Sequence, residues 1–204
     1  MDRLLIATSN AGKLRDFAAA AAQCGVIVEA ISGFRDLPDV IEDAPTFETN
    51  AQKKAEHYSQ FVPNELVLAD DSGLEVDVLH GAPGIFSARY AASPQHPNAS
   101  DAENNAKLLR ELEKIADDSR QARFVCAIAV GRNGKTEATF RGTAAGTILR
   151  QPRGTNGFGY DPLFFYAPMN RTFAELTPEE KSDVSHRGQA FRKLLQWFLD
   201  SDIR

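Results

Sequence analysis

Cysteine is scarce. Cys24 and Cys126 are the only two in 204 residues. With no Cys-x-x-Cys, they make neither a disulfide framework nor a thiolate zinc site, and both are expected as buried free thiols. Positive charge is also short: 23 Lys plus Arg stand against 28 Asp plus Glu, a net −5. No long Lys/Arg run occurs, so an electrostatic binder of a nucleic acid polymer is disfavoured. Any anionic substrate must then be met by local donors or a metal. No apolar stretch approaches the ~18 residues of a membrane span. Met1-Asp2-Arg3 runs into a strand-like segment without a signal-peptide core, which points to the cytoplasm. His57, His80 and His96 have no partner at ligand spacing, against zinc, and a G-x-S-x-G nucleophile elbow is missing.

What is present is the balance of an ordinary globular chain, 43% hydrophobic and 25% charged,. Its length falls between one domain and two. Strand and helix signals alternate, which argues α/β. Strands are expected at residues 4–8, 26–28 and 66–69, a half-exposed strand at Leu74, Val76 and Val78, and a short one at 163–165. Asn133-Gly134 joins two more in a hairpin, so the sheet is expected to be mixed. Helices are expected over Lys13–Cys24 and Thr46–Phe61. Others follow the Ser100-x-x-Glu103 capping box and Thr177-Pro178, and the last runs through Phe191–Leu199.

Four segments carry possible chemistry. Thr8-Ser9-Asn10-Ala11-Gly12-Lys13 joins a strand to a helix. Free N–H groups, a close-approach glycine and one lysine there would cradle phosphate; the alternative is a capped turn. Asp70-Asp71-Ser72-Gly73 follows a buried run. Adjacent strand side chains point oppositely, so one carboxylate would ligate a cation such as Mg²⁺ and the other would orient it. The alternative is a solvated turn. Gly154–Pro162 packs glycines, Phe158, Tyr160 and Asp161 into a loop that could hug a flat base, or whose rings could fill core. Lys181 precedes Ser185-His186-Arg187, where a Ser185 cap would put His186 and Arg187 in a first helical turn, a place the helix dipole disfavours for cations. The plain reading is a surface His-Arg pair. Asp39–Asp43 is an acidic run, by default a solvated loop, and Gly81–Tyr90 is a tight loop followed by aromatics.

In series these segments resemble the inosine triphosphate pyrophosphatase family, house-cleaning enzymes for non-standard purine nucleoside triphosphates. The marks are Thr8-Ser9-Asn10-x-x-Lys13, Leu68–Leu74, Gly81–Tyr90, Phe158–Pro162 and Lys181-Ser182-x-x-Ser185-His186-Arg187-Gly188. The resemblance runs from residue 4 to about residue 199. It implies a long twisted mixed sheet with flanking helices, one catalytic domain with two lobes around a nucleotide cleft, and a homodimer. It implies Mg²⁺-dependent hydrolysis of dITP, ITP or XTP to monophosphate and pyrophosphate. Thr8, Ser9, Asn10, Ala11, Gly12 and Lys13 would hold the triphosphate. Asp71 would be the catalytic, metal-binding carboxylate, with Asp70 beside it as a further metal carboxylate. Ser72, Phe158, Gly159, Tyr160, Asp161, Lys181, His186 and Arg187 would contact substrate. A further metal carboxylate falls between Asp39 and Glu42, with Glu42 as candidate. Ser9 stands where glycine is common in the family, and Asn156 where many members have another small residue. The alternatives are a pyrophosphatase for pyrimidine or modified nucleotides, and a non-catalytic nucleotide-binding module.

Overall fold

The computed structural model describes residues 3–22 and 24–201; Met1, Asp2 and Gln23, which the expectations touch, lie outside them. Seven strands form one open mixed sheet in the order β2-β1-β3-β4-β5-β6-β7. They are β1 (Arg3–Ile6), β2 (Ile27–Ala30), β3 (Val67–Val76), β4 (Gln121–Arg132), β5 (Lys135–Ile148), β6 (Phe164–Tyr166) and β7 (Arg171–Thr172). β1 runs parallel to β2 and β3, whereas β5, β6 and β7 pair antiparallel. The helices are α1 (Ala11–Ala22), α2 (Phe47–Ser59), α3 (Asp101–Glu111), α4 (Pro178–Val184) and α5 (His186–Asp200). Among the described residues no helix is long and apolar enough to cross a membrane.

The chain divides into two compact units: Met1–Ser72 with Cys126–Thr143 and Ser182–Arg204, and Gly73–Val125 with Ala144–Lys181. In the first, Leu4, Ile6, Leu66, Leu68, Cys126, Ile128 and Val130 form one apolar sheet face, covered by Phe17 and Ala21 of α1 and by Phe191, Leu194 and Phe198 of α5. The Phe17 and Phe191 rings meet edge to face at 5.1 Å. α2 covers the opposite face, where a Cβ on Gly131 would lie 2.5 Å from the Ala55 carbonyl oxygen. With both faces covered, Val125–Val130 is buried at every position, as expected for strands coated on two sides,. In the second unit the rings of Phe124, Phe164 and Phe173 pack together with centres 4.6–5.8 Å apart. Buried Arg120 donates to the carbonyls of Leu112, Ile148 and Leu149.

Local signals set most boundaries. Thr46 accepts from the Thr49 N–H and starts α2, and Ser185 accepts from the Gly188 N–H and starts α5. Asn133 and Gly134, at φ 51° and 78°, turn β4 into β5, as a two-residue hairpin requires. Two expectations are corrected. Residues 66–78 are not a strand, a turn and a half-exposed strand: β3 runs unbroken through Asp70-Asp71-Ser72-Gly73, Leu74 and Val76 are fully buried, and Val78 lies in a 3₁₀ turn. A strand can carry two carboxylates through the interior when each meets a cation. Cys126 is buried, its thiol pushed up to about 12 mainly by that burial, but Cys24 is exposed because it lies in the turn after α1.

Candidate active site

β3 carries the centre of the first unit. Its side chains alternate between faces, so Asp70 points with Leu68 toward α1 and α5, while Asp71 points toward α2. On the α1 side, Asn10 caps the helix through Oδ1, which accepts from the N–H groups of Gly12 (2.8 Å) and Lys13 (3.1 Å). That cap places Lys13 in the first turn, where its Nζ lies 3.0 Å from Asp70 Oδ2. Arg187, in the first turn of α5, lies 3.7 Å from the same oxygen. Its Nη2 donates to Ser72 Oγ (2.9 Å), which itself donates to Asp70 (3.2 Å), and its Nη1 donates to Asp16 (2.9 Å). Burial pushes the Asp70 carboxyl up, but Lys13, Arg187 and Lys54 outweigh it and hold the group at about 2, below its ordinary 3.8. The helix-dipole conflict of Arg187 is thus met by two aspartates. His186 and Arg187 are both buried rather than a surface pair.

On the α2 side, Asp71 Oδ2 accepts from Asn50 Nδ2 at 3.1 Å. Lys54 Nζ lies 3.6 Å from Asp71 Oδ1 and 2.9 Å from Glu42 Oε2. The backbone N–H of Ala44 donates to Asn50 Oδ1 (3.0 Å), which pins the acidic segment and brings Glu42 to the lysine. Burial raises the Asp71 carboxyl above its ordinary value, and Glu42 raises it further against the pull of Lys54 and Lys13. Lys54 is also raised: its carboxylate neighbours outweigh the burial that would discharge it. Glu42 and Asp71 therefore share one cationic position, and their hard oxygens suit Mg²⁺. Among the described residues no three His, Cys, Asp or Glu side chains converge. A divalent ion here would complete its shell with phosphate and water, as Mg²⁺ habitually does.

In the second unit, Asp161 Oδ2 accepts from the Phe158 N–H (2.9 Å) and from Lys181 Nζ (2.6 Å). That ammonium stands 5.0 Å from the centre of the Phe158 ring. Tyr160 is buried and its hydroxyl donates to the Ser87 carbonyl (2.8 Å), so its ring fills core while Phe158 stays partly open. Of the phosphate segment, Ser9 and Asn10 are exposed and Gly12 is buried.

Asn50, Lys54 and Asp16 were not singled out from the sequence. A signal for two of them exists: Phe47, Asn50, Ala51, Lys54, Ala55 and Tyr58 make one buried helical stripe, and an Asn and a Lys interrupt its apolar pattern.

The Ham1 family model matches residues 4–197. A curated relative from Geobacillus kaustophilus, named dITP/XTP pyrophosphatase, is 49% identical over 198 residues, covering 97% of this chain and 95% of that protein. One of the same name from Streptococcus thermophilus is also 49% identical over 97% of this chain, which spans only 60% of that longer protein. Among solved structures, a HAM1 protein from Coxiella burnetii superposes with a TM-score of 0.84 at 39% identity, covering 98% of this chain and all of that one. The Staphylococcus aureus Ham1 protein gives 0.81 at 40% identity, covering 97% and 98%.

Proposed function

The chain belongs to the Ham1 family, and from that premise we propose that it is a Mg²⁺-dependent nucleoside-triphosphate pyrophosphohydrolase. Its substrates in this reading are ITP, dITP, XTP and dXTP, cleaved to the monophosphate and pyrophosphate. The relatives' shared name, dITP/XTP pyrophosphatase, supports the substrate class. The observation that carries the chemistry is the division of labour at β3: Asp70 anchors Lys13 at a helix N-terminus, and its neighbour Asp71 faces Glu42 across Lys54.

The helix start at Asn10–Lys13 and the Lys13 ammonium bind the triphosphate. Thr8, Ser9, Ala11 and Gly12 complete that segment. Glu42 and Asp71 would hold Mg²⁺, which when bound neutralises charge on the phosphate oxygens; Asp70 keeps Lys13 and Arg187 in place. Asp71 is the carboxylate assigned to proton acceptance. Water oxygen bonds to the α-phosphorus, its proton passes to Asp71, and the α–β bridging P–O bond breaks with its electron pair leaving on pyrophosphate. Lys181 in the second unit, and His186 and Arg187 in the first, are each assigned to substrate; donors of this kind match the purine O6, which adenine replaces with an amino group. A buried donor left unpaired costs about 1–3 kcal/mol, so two mismatches reject ATP by roughly 10²-fold or more. Phe158 offers the ring for stacking. We place the activity in the cytoplasm, with the nucleotide pool it would clear. We assign the half-exposed Phe86, beside Tyr90, to contact with a second copy in a homodimer.

The test is pyrophosphate and phosphate release from ITP, XTP, dUTP, GTP and ATP, with Mg²⁺ and with EDTA. Pyrophosphate from ITP and XTP, abolished by EDTA, is expected. Pyrophosphate from dUTP instead would overturn the base assignment, and no release from any would favour a binding module.

A further inference from the structure

Two loops of the second unit are gripped by the side chains of one helix. The start of α3 is fixed by a reciprocal cap: Ser100 Oγ accepts from the Glu103 N–H (3.3 Å), and Glu103 Oε2 accepts from the Ser100 N–H (2.8 Å). One residue on, Asp101 Oδ2 accepts from the Gly159 N–H at 2.6 Å. One turn later, on the same helix face, Asn105 Nδ2 donates to the Gly159 carbonyl at 2.9 Å. Both polar groups of a single residue are thus taken by one pair of side chains. Gly159 sits at φ +61°, a left-handed conformation that little besides glycine adopts freely, so the grip selects an otherwise permissive backbone. Asn104 does the same for the other loop: its Oδ1 accepts from the Ala91 N–H (2.8 Å) and its Nδ2 donates to the Ala88 carbonyl (3.2 Å).

Gly159 lies between Phe158, whose ring is the half-open aromatic surface, and Asp161, whose carboxylate aims Lys181. We propose that Asp101 and Asn105 are positioning residues: by fixing the two peptide groups that flank the Gly159 α-carbon they set Phe158 and the Asp161–Lys181 pair for the purine base. This rests on the pyrophosphatase reading given above. Neither residue need touch substrate. Their contribution belongs to binding, because the carboxylates and Lys13 assigned to the reaction sit in the other unit.

The experiment is steady-state hydrolysis of ITP by Asp101→Ala, Asn105→Ala, the double variant, Asp101→Asn and Asn105→Asp. Amide hydrogen exchange over residues 154–161 is followed alongside. Each alanine variant is expected to raise KM about tenfold, the size of one lost hydrogen bond at a charged or buried group, with kcat within about twofold. The double variant raises KM by less than the product of the two, since both act on one residue,. Asp101→Asn keeps an oxygen acceptor for the Gly159 N–H and returns KM to within about threefold. Asn105→Asp sets an oxygen against the Gly159 carbonyl and raises KM. Loop exchange speeds up wherever KM rises. A merely structural role would instead lower the active fraction, and so kcat, with KM unchanged. KM held constant in the folded variants, or a rise that Asp101→Asn does not reverse, overturns the proposal. If an alanine variant does not fold, the isosteric Asp101→Asn and Asn105→Asp decide on the same criteria. Wild-type protein inactive on ITP overturns the pyrophosphatase reading and the link to the base, while faster loop exchange in the variants still separates that failure from failure of the clamp.

Discussion

Replacing Lys54 by methionine removes one charge and little volume. Lys54 lies 2.9 Å from Glu42 and 3.6 Å from Asp71. At an effective dielectric constant of about 20, each attraction is worth ~5 kcal/mol before desolvation. Taking the ammonium out of water offsets much of that, and Glu42 is 36% exposed, so its share is discounted for solvent screening. Breaking a buried pair by removing one partner costs about 3–5 kcal/mol, and the low end applies here. For a chain of this length ~3 kcal/mol corresponds to a fall in Tm of roughly 6–12 °C. Circular dichroism melts in EDTA at neutral pH measure it. Two carboxylates without their ammonium attract a divalent cation more strongly, so saturating Mg²⁺ should recover at least half the loss and raise the Tm of the variant more than that of the parent. A fall under about 2 °C in EDTA would show that Lys54 is not buried between charges. An equal fall with and without Mg²⁺ would refute the assignment of Glu42 and Asp71 to a metal.

Asp71→Asn should keep its circular dichroism spectrum and lose most pyrophosphate release; near-parental turnover in the folded variant would remove Asp71 from the chemistry. Asp70 is held at about 2 against an ordinary 3.8, so its contribution, about 2 kcal/mol, is complete above roughly pH 4 and disappears as pH falls through about 2. Asp70→Asn should therefore be less stable at neutral pH and show a flatter loss of stability in acid titrations over that window. Gly188→Ala should lower Tm although alanine is the better helix former. Its Cβ would lie 1.8 Å from the Ser182 carbonyl oxygen, which accepts a hydrogen bond from Arg192. Overpacking of about 1–3 kcal/mol exceeds the ~1 kcal/mol of helix propensity gained.

Much of this architecture is legible in the residues because it is locally encoded. The Ser100-Glu103 box, the Asn133-Gly134 turn and the Ser185 cap each act within four residues, and each stands where its sequence puts it. Opposite facing of Asp70 and Asp71 follows from strand period alone. What was hidden depends on distant charge. Asp-Asp-Ser-Gly has the composition of a turn, and it is extended only because Lys13, Arg187, Asn50 and Lys54 arrive from other elements. Lys54 falls in the apolar stripe of α2, but only Glu42 and Asp71, from distant segments, account for a charge there. Asp101 and Asn105 lie in the first two turns of a conventional helix, and nothing near them in sequence announces Gly159.

Adjacent positions on β3 have one further consequence. A single peptide unit, about 3.8 Å between α-carbons, separates the carboxylate tied to Lys13 from the one tied to Lys54. The spacing of their α-carbons is fixed by covalent geometry and cannot drift with the packing of the helices. The arrangement is correspondingly intolerant of a frame slip. One residue inserted or deleted between Leu68 and Asp70 would exchange the faces of the two aspartates while Leu68 keeps the apolar side,, sending each aspartate to the other's cations. In this strand the parity of the residue count is itself a functional specification, one that no substitution elsewhere could restore.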